Sequence, residues 1–406
     1  MPPLNRNILM SFKHHNNNNY LRIRHLDLFG YMAINRNKFR GVLIGMILLL
    51  VSPNNLQAQH GISLVYAPSK VIKHRETILF DAPERSHEFR LAYTFQTTGK
   101  HKWERYWNKP RITINGLFVN YGDKEVLGNA YAILPELHFT LTKWRNFRLN
   151  LQFGTGIAYL TKPFNAITNP NNNAIGSNLN NITSLKFGLT YQWNDRWVTT
   201  LSTGLVHFSN GLSSSPNTGI NIYGLSVGGV YSFGLKEQKE DIPELRTEDE
   251  ISKYKKWVVD FQYHYGFTEH SVPDGPKYGV NAYSLGGGFR YTEFMTVSLG
   301  GEYEYNDGRY TFFKRNFYTE AEALDQARST IIYLEHELRF GRIFNRLRLG
   351  FYLPWPIENS RSMYTKVVTG VYLPKIKGTV QPYIGVLLKT HTAVADYLGF
   401  LVGISY

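Results

Sequence analysis

Leu185-Lys186-Phe187-Gly188-Leu189-Thr190-Tyr191-Gln192-Trp193 alternates without a break: Leu185, Phe187, Leu189, Tyr191 and Trp193 fall on one face, and Lys186, Gly188, Thr190 and Gln192 on the other. Period two marks a β-strand, because successive side chains leave a pleated chain on opposite sides. In a soluble sandwich the apolar face would pack inside and the polar face would be wet. Here the second face is small or polar, often Gly, and the apolar face carries aromatics near its end. That combination predicts a barrel with lipid outside, a polar lumen and aromatic girdles at two interfaces.

The pattern repeats on both sides of this stretch. In 149–159, Leu149, Leu151, Phe153, Ile157 and Tyr159 alternate with Asn150, Gln152, Gly154, Gly156 and Ala158, and segments 283–291, 295–305, 331–340, 346–353 and 398–406 behave alike. Connections alternate in length. Tight turns are expected at Arg145-Asn146 and Asn194-Asp195, and long polar loops over 161–183 and 307–330. Short turns at one end and long loops at the other fit a periplasmic and an external side. Tyr406 falls on an apolar-face position, as is common among such barrels. The expected fold is therefore all-β, a transmembrane antiparallel β-barrel of about sixteen strands.

A mixed-charge run over 235–256 interrupts the alternation and separates two halves of about eight strands. Eight strands close around an interior that side chains can fill, whereas sixteen leave a channel or need a plug. The inward parity of Gly154, Gly156, Gly188, Ser202 and Gly204 suits a narrow, packed interior and favours two eight-stranded units; one larger barrel is the alternative. The expected division is an extension and leader over 1–59, a first barrel over 60–234, a charged periplasmic linker over 235–256 and a second barrel half over 257–406. Pro216-x-x-Gly219-Ile220-Asn221-x-Tyr223 and Pro276-x-x-Gly279-Val280-Asn281-x-Tyr283 share a frame, through duplication or a recurrent loop-to-strand junction.

Composition adds boundaries. The chain has 406 residues, 45 Lys+Arg against 31 Asp+Glu, and no Cys, which excludes disulfides, thiolate metal sites and a cysteine nucleophile. No apolar run reaches the roughly 18 residues of a spanning helix. Arg36, Lys38 and Arg40, the apolar stretch Val42–Val51, and Leu56-Gln57-Ala58 describe a cleaved secretory signal peptide, with Met32 as its start and 1–31 as an upstream extension. Residues 1–59 carry seven Lys/Arg and one Asp, leaving +8 of the net +14 for the remainder. The basic balance is thus partly a targeting signal, and no basic stripe suited to nucleic acid is found.

One strand pair can carry chemistry. By alternation His207 and Ser209 lie on the lipid-facing side at the outer end of the seventh strand, and Asn221 points outward from the eighth. If pairing residues sum to 430, Asn221 sits opposite Ser209 and diagonal to His207; a neighbouring even sum would still leave them close. A hydroxyl, an imidazole and an orienting polar group are what nucleophilic acyl transfer needs. At the lipid boundary the substrate would be a lipid ester. The plainer reading of the same residues is an interfacial belt touching phosphates and water.

His207-Phe208-Ser209-Asn210-Gly211, followed by Pro216-Asn217 and Gly219-Ile220-Asn221, resembles the PagL-type lipid A 3-O-deacylases, also called acyloxyacyl hydrolases. The resemblance covers about residues 87–234. It implies an eight-stranded outer-membrane barrel that cleaves an acyl ester of lipid A, the membrane anchor of lipopolysaccharide. By the same resemblance Ser209 matches the nucleophile, His207 the base, and Asn210 an oxyanion donor, with Gly211 beside it. No cofactor is implied. One position departs: the family has Glu where this chain has Asn221. An amide can orient an imidazole but cannot stabilise an imidazolium by charge, and in serine proteases that exchange costs about 10⁴ in rate through the wrong tautomer. The loop 211–220 holds no acid that could replace it.

Other candidates are fewer. His391 and Asp396 flank a short loop and could pair. Glu302, Glu304, Glu335, Glu337, Arg339, Arg348, Lys366 and Lys389 share the inward parity of the second half, as a structural ion-pair network or a pore lining. His270-Ser271 lacks the spacing of the His207 arrangement. The alternative function is a non-catalytic structural or pore-forming outer-membrane barrel.

Overall fold

The computed structural model describes residues 60–233, 254–269, 273, 275–353, 362–376, 378–392 and 394–406. The expected leader over 1–59, most of the charged stretch 235–256, and His270-Ser271 lie outside these residues. Two closed antiparallel barrels of eight strands each make up the fold. The first runs β1 (His60–Ile72), β2 (Ser86–Gln96), β3 (Arg111–Asn120), β4 (Asn129–Trp144), β5 (Phe147–Leu160), β6 (Leu179–Gln192), β7 (Trp197–Ser209) and β8 (Ile220–Phe233). It closes by pairing β1 with β8, His60 opposite Phe233. The second runs β9 (Trp257–Glu269), β10 (Lys277–Thr292), β11 (Met295–Asn306), β12 (Arg328–Phe340), β13 (Ile343–Leu353), β14 (Met363–Tyr372), β15 (Gln381–His391) and β16 (Val394–Ser405), and closes by pairing β16 with β9. Closure leaves no sheet edge unpaired, which is the condition for a sheet to stand in hydrocarbon.

Alternation sorts the side chains as the sequence predicts. Outside stand Leu64 at 67% exposure, Leu91, Ile157, Phe187 and Leu225 on the first barrel, and Leu285, Leu299, Leu334 and Phe400 on the second. An apolar surface this continuous is unfavourable in water and suits lipid. Trp144, Trp193, Trp197 and Tyr231 crowd the short-turn end of the first barrel, and Trp257 and Phe289 that of the second. Those rings form the expected girdle at one membrane interface.

Both interiors are filled. At the long-loop end of the first barrel an apolar cluster includes Val119, Leu134, Ile182, Val206, Phe208 and Ile220, capped from the loops by Ile78, Phe80, Leu127 and Ile175. Further along, Glu88 accepts from Arg90 at 2.5 Å and from Lys186 at 2.8 Å, while Arg90 also reaches Glu136 at 2.9 Å. A cavity of about 40 Å³ beside these groups has room for one or two waters. The inward glycines are required by this packing. A Cβ at Gly154 would run into the backbone carbonyl of Pro135, and one at Gly156 into that of Ile133.

In the second barrel the inward charges form one network. Arg348 bonds Glu302 at 2.5 Å and Glu335 at 2.7 Å; Lys366 reaches Glu302 at 2.8 Å and Lys389 reaches Glu304 at 2.7 Å. Arg346, joined to Glu337 at 2.7 Å and Asp260 at 3.3 Å, belongs to it as well. Tyr364, Tyr383 and Tyr397 complete it with hydroxyl donors. Such groups tolerate burial only when each charge is paired and its remaining hydrogen bonds are met. The connection between β11 and β12 folds into α2 (Asp307–Arg315) and α3 (Glu320–Ala327), and α2 places Arg309 on Ser329 and over the Tyr352 ring. A third helix, α1 (Lys102–Tyr106), sits between β2 and β3.

Candidate active site on the outer wall of the first barrel

β7 brings Leu201, Leu205 and His207 to its outward face, while Val206 and Phe208 enter the core. His207 is therefore held on a lipid-facing wall by buried neighbours on both sides along the chain. Ser209 ends the strand on the same face but is only 7% exposed, because the loops at this end close over it. The β7–β8 register pairs Phe208 with Ile220 and His207 with Asn221. It differs by two residues from the sum-430 pairing: Asn221 faces His207 directly, not Ser209. The cause lies inside the barrel, where fully buried Phe208 and Ile220 meet. Either register keeps the same faces outward, so alternation alone could not choose between them.

The direct pairing sets the imidazole. Asn221 Oδ1 accepts from His207 Nδ1 at 2.6 Å. An amide oxygen can only accept, so Nδ1 carries the proton and Nε2 presents its lone pair. Gly219, at φ +80°, presses against the other side of the ring: a Cβ there would lie 2.6 Å from His207 Cε1. The site thus has an orienter on one edge and an obligatory glycine on the other.

Ser209 Oγ is held by groups other than His207. It contacts the Asn217 amide at 2.9 Å from Nδ2 and 3.2 Å from Oδ1, and it accepts the Gly211 N–H at 3.1 Å. Asn217 Oδ1 also accepts the Asn210 N–H at 3.0 Å. The Asn210 side chain turns away, its Nδ2 donating to Ser177 Oγ at 3.1 Å and Ser214 O at 2.9 Å. Of the two expected oxyanion donors, Gly211 offers an N–H beside the hydroxyl, while the Asn210 amide fastens the loop. Among the described residues no hydrogen bond joins Ser209 to His207; catalytic hydrogen bonds commonly tighten only once substrate is bound.

Neighbouring loops brace the arrangement. Gly219 N–H donates to Ala174 O at 2.9 Å, Thr218 Oγ1 to Asn173 O at 3.3 Å, and His74 Nε2 lies 3.0 Å from Thr218 O. Around the pair the outward face stays polar: Asn181 donates to Thr155 at 2.8 Å and Thr183 to Asn181 at 2.9 Å. Asn217 and His74 were not singled out from the sequence. Asn217 is one amide among many in these loops, and only the folded hairpin shows which one reaches the serine.

The remaining candidates fall elsewhere. His391 Nδ1 lies 3.6 Å from Asp396 Oδ2, and its Nε2 meets the Tyr352 hydroxyl at 2.9 Å. Both belong to the interior of the second barrel, joined to the ion network through Lys389 at 3.4 Å from Asp396. Among the described residues no group of three or more His, Asp or Glu could hold a metal ion.

Closed eight-stranded sheets with lipid-facing apolar walls and filled lumens define the class: a β-barrel of the outer-membrane type, present twice in one chain. Residues 87–229, β2 through most of β8, match the family model described as lipid A 3-O-deacylase (PagL). Every residue of the constellation lies within the matched stretch. No curated protein matches the chain. Among solved structures, Ail, the attachment invasion locus protein of Yersinia pestis, is 16% identical, with 43% of this chain and 99% of that chain covered at a TM-score of 0.23. A BenF-like porin from Pseudomonas fluorescens is 12% identical, with 86% and 98% covered at a TM-score of 0.22. At such scores the fold assignment rests on the strand pairing above.

Proposed function

We propose that the first barrel is an outer-membrane esterase that removes an acyl chain from lipid A. Ser209 attacks the ester carbonyl, His207 Nε2 accepts the hydroxyl proton, and the same proton then passes to the departing alcohol oxygen, that of the sugar or of a hydroxylated acyl chain, while the acyl group stays on Ser209. Water hydrolyses the acyl-enzyme by the reverse roles. Asn221 keeps the proton on Nδ1, so the imidazole stands ready as a base. The Gly211 N–H, 3.1 Å from the Ser209 hydroxyl, is the donor assigned to the developing oxyanion in this reading. Attack requires the serine hydroxyl to leave the Asn217 amide and turn toward His207. In this reading Asn217 holds the resting state and lipid binding releases it. No metal or cofactor takes part in these steps.

The observation that carries the reading is the His207–Asn221 contact at 2.6 Å, made within a small polar patch with Asn181 and Thr183 on a barrel wall that is apolar along the rest of its height. The match of this stretch to a lipid A deacylase family supports the substrate class. A lipid embedded in the same membrane reaches that wall laterally, ester first, at head-group depth. The test is fatty-acid release from purified lipid A in detergent. Ser209→Ala and His207→Ala are each expected to lower the rate by about 10⁴ or more while the barrels stay folded. Release at the wild-type rate by either variant would refute the assignment. The pore alternative gains nothing from the interiors, which side chains occupy in both barrels.

A further inference from the structure

The loop that follows Ser209 is held from the second barrel. Gly211, at φ +66°, lies so close to that barrel's wall that a Cβ on it would be 3.2 Å from Leu388 Cδ1 on β15 and 3.2 Å from Leu398 Cβ on β16. One residue on, Leu212 O accepts the N–H of Glu269, the last residue of β9, at 3.0 Å. Two further on, Ser214 Oγ donates to Glu269 Oε2 at 3.3 Å. Glu269 is 2% exposed, and its Oε1 is buried without a hydrogen-bond partner among the described residues. A carboxyl group is seldom kept in such a place without a reason. The loop 211–220 has no acid of its own; the fold delivers one from the other half of the chain.

We propose that the second barrel completes the esterase site, with Glu269, Leu388 and Leu398 acting as positioning residues for the 210–214 segment. The inference rests on the deacylase reading of the first barrel and goes beyond it, since the family match ends at residue 229. The chemical argument concerns one amide. The Gly211 N–H is the backbone donor that reaches the Ser209 hydroxyl, at 3.1 Å, and its direction depends on a backbone in the left-handed region at two successive residues, Gly211 and Leu212, at φ +66° and +64°. A non-glycine residue in that region is unusual, and Leu212 stays there because its carbonyl is anchored to Glu269. The flat leucine wall prevents the loop from swinging outward. The second barrel thus pre-orients an oxyanion donor that a short free loop would let wander.

The experiment compares the full-length protein with the triple variant Glu269→Ala, Leu388→Ala, Leu398→Ala, all three in the second barrel. Two quantities are read: kcat and KM for fatty-acid release from lipid A, and amide exchange over residues 210–214. The expected result is a fall in kcat of about tenfold or more with KM nearly unchanged, and exchange faster by a similar factor. Wild-type kcat with wild-type exchange overturns the proposal. So does a fall in unfolding temperature alone, with both readouts unmoved, because that would make the contact merely structural. If the wild-type protein releases no fatty acid, the deacylase reading fails by itself, and unchanged exchange in the variant would separately reject the buttress.

Discussion

At the scale of single residues, the proposed esterase chemistry depends on how Asn221 and Gly219 frame His207. Asn221 supplies the tautomer but no charge, so Asn221→Glu is expected to raise kcat for lipid A deacylation by about tenfold to a hundredfold. The gain falls short of the 10⁴ known for a carboxylate over an amide, because there the amide also imposed the wrong tautomer. An unchanged or lower kcat in a folded Asn221→Glu protein would show that imidazolium charge does not limit the reaction. Gly219→Ala puts a Cβ 2.6 Å from the imidazole at a φ of +80°, and should abolish activity while the folded barrel persists. Retained activity would mean that the ring position is not critical. The candidates His207, Ser209 and Asn221 stood out in the sequence because polar groups are conspicuous on a lipid-facing wall; the structure joins His207 to Asn221 and ties Ser209 to Asn217. Asn217 and Glu269 were not: one is an amide in an amide-rich loop, and the other arrives from a strand 60 residues away from Ser209.

At the scale of strands and their contents, alternation carried most of the fold. The turns at Arg145-Asn146 and Asn194-Asp195, the inward glycines and the inward charges of the second half all occur as the pattern predicted. Register was not readable, since a shift of two leaves every face in place. The helices α2 and α3 were also missed in a loop expected to be plain, although Thr319 and Glu322 form a capping box around the start of α3. That short signal was hidden by the strand rhythm on either side. The ion network makes a stability prediction at this scale. Arg348 touches Glu302, Glu335, Gln262 and Ser284. Arg348→Met leaves buried Glu335 with only Arg346 at 3.6 Å and takes from Glu302 one of its two close cations, and should destabilise the second barrel by about 3–5 kcal/mol, read as a lower urea midpoint. A midpoint equal to wild type would show that the network relaxes around the loss. The site on the first barrel should keep its chemistry unless the β9 contact to Leu212 is disturbed.

At the scale of the whole molecule, two filled barrels argue against an open channel through either lumen. Arg348, Lys366 and Lys389 are fully buried in the second lumen, and Phe208 and Tyr121 in the first. The barrels also touch at the short-turn end, where Trp107 Nε1 donates to Arg339 O at 2.8 Å and its ring packs on Phe340. Protein reconstituted into planar bilayers is accordingly expected to show no steady ion conductance; regular conductance steps would mean that the lumens open. Why a tandem pair forms could not be read from the first barrel alone, because the contacts that join them are scattered over turns and loop ends. The central claim is that Ser209 cleaves an ester of lipid A. Its most direct test is mass spectrometry of lipid A from cells expressing the protein, beside cells expressing Ser209→Ala at equal level in the outer membrane. Loss of one acyl mass in the wild type only is the expected result. Identical spectra from the two would contradict it.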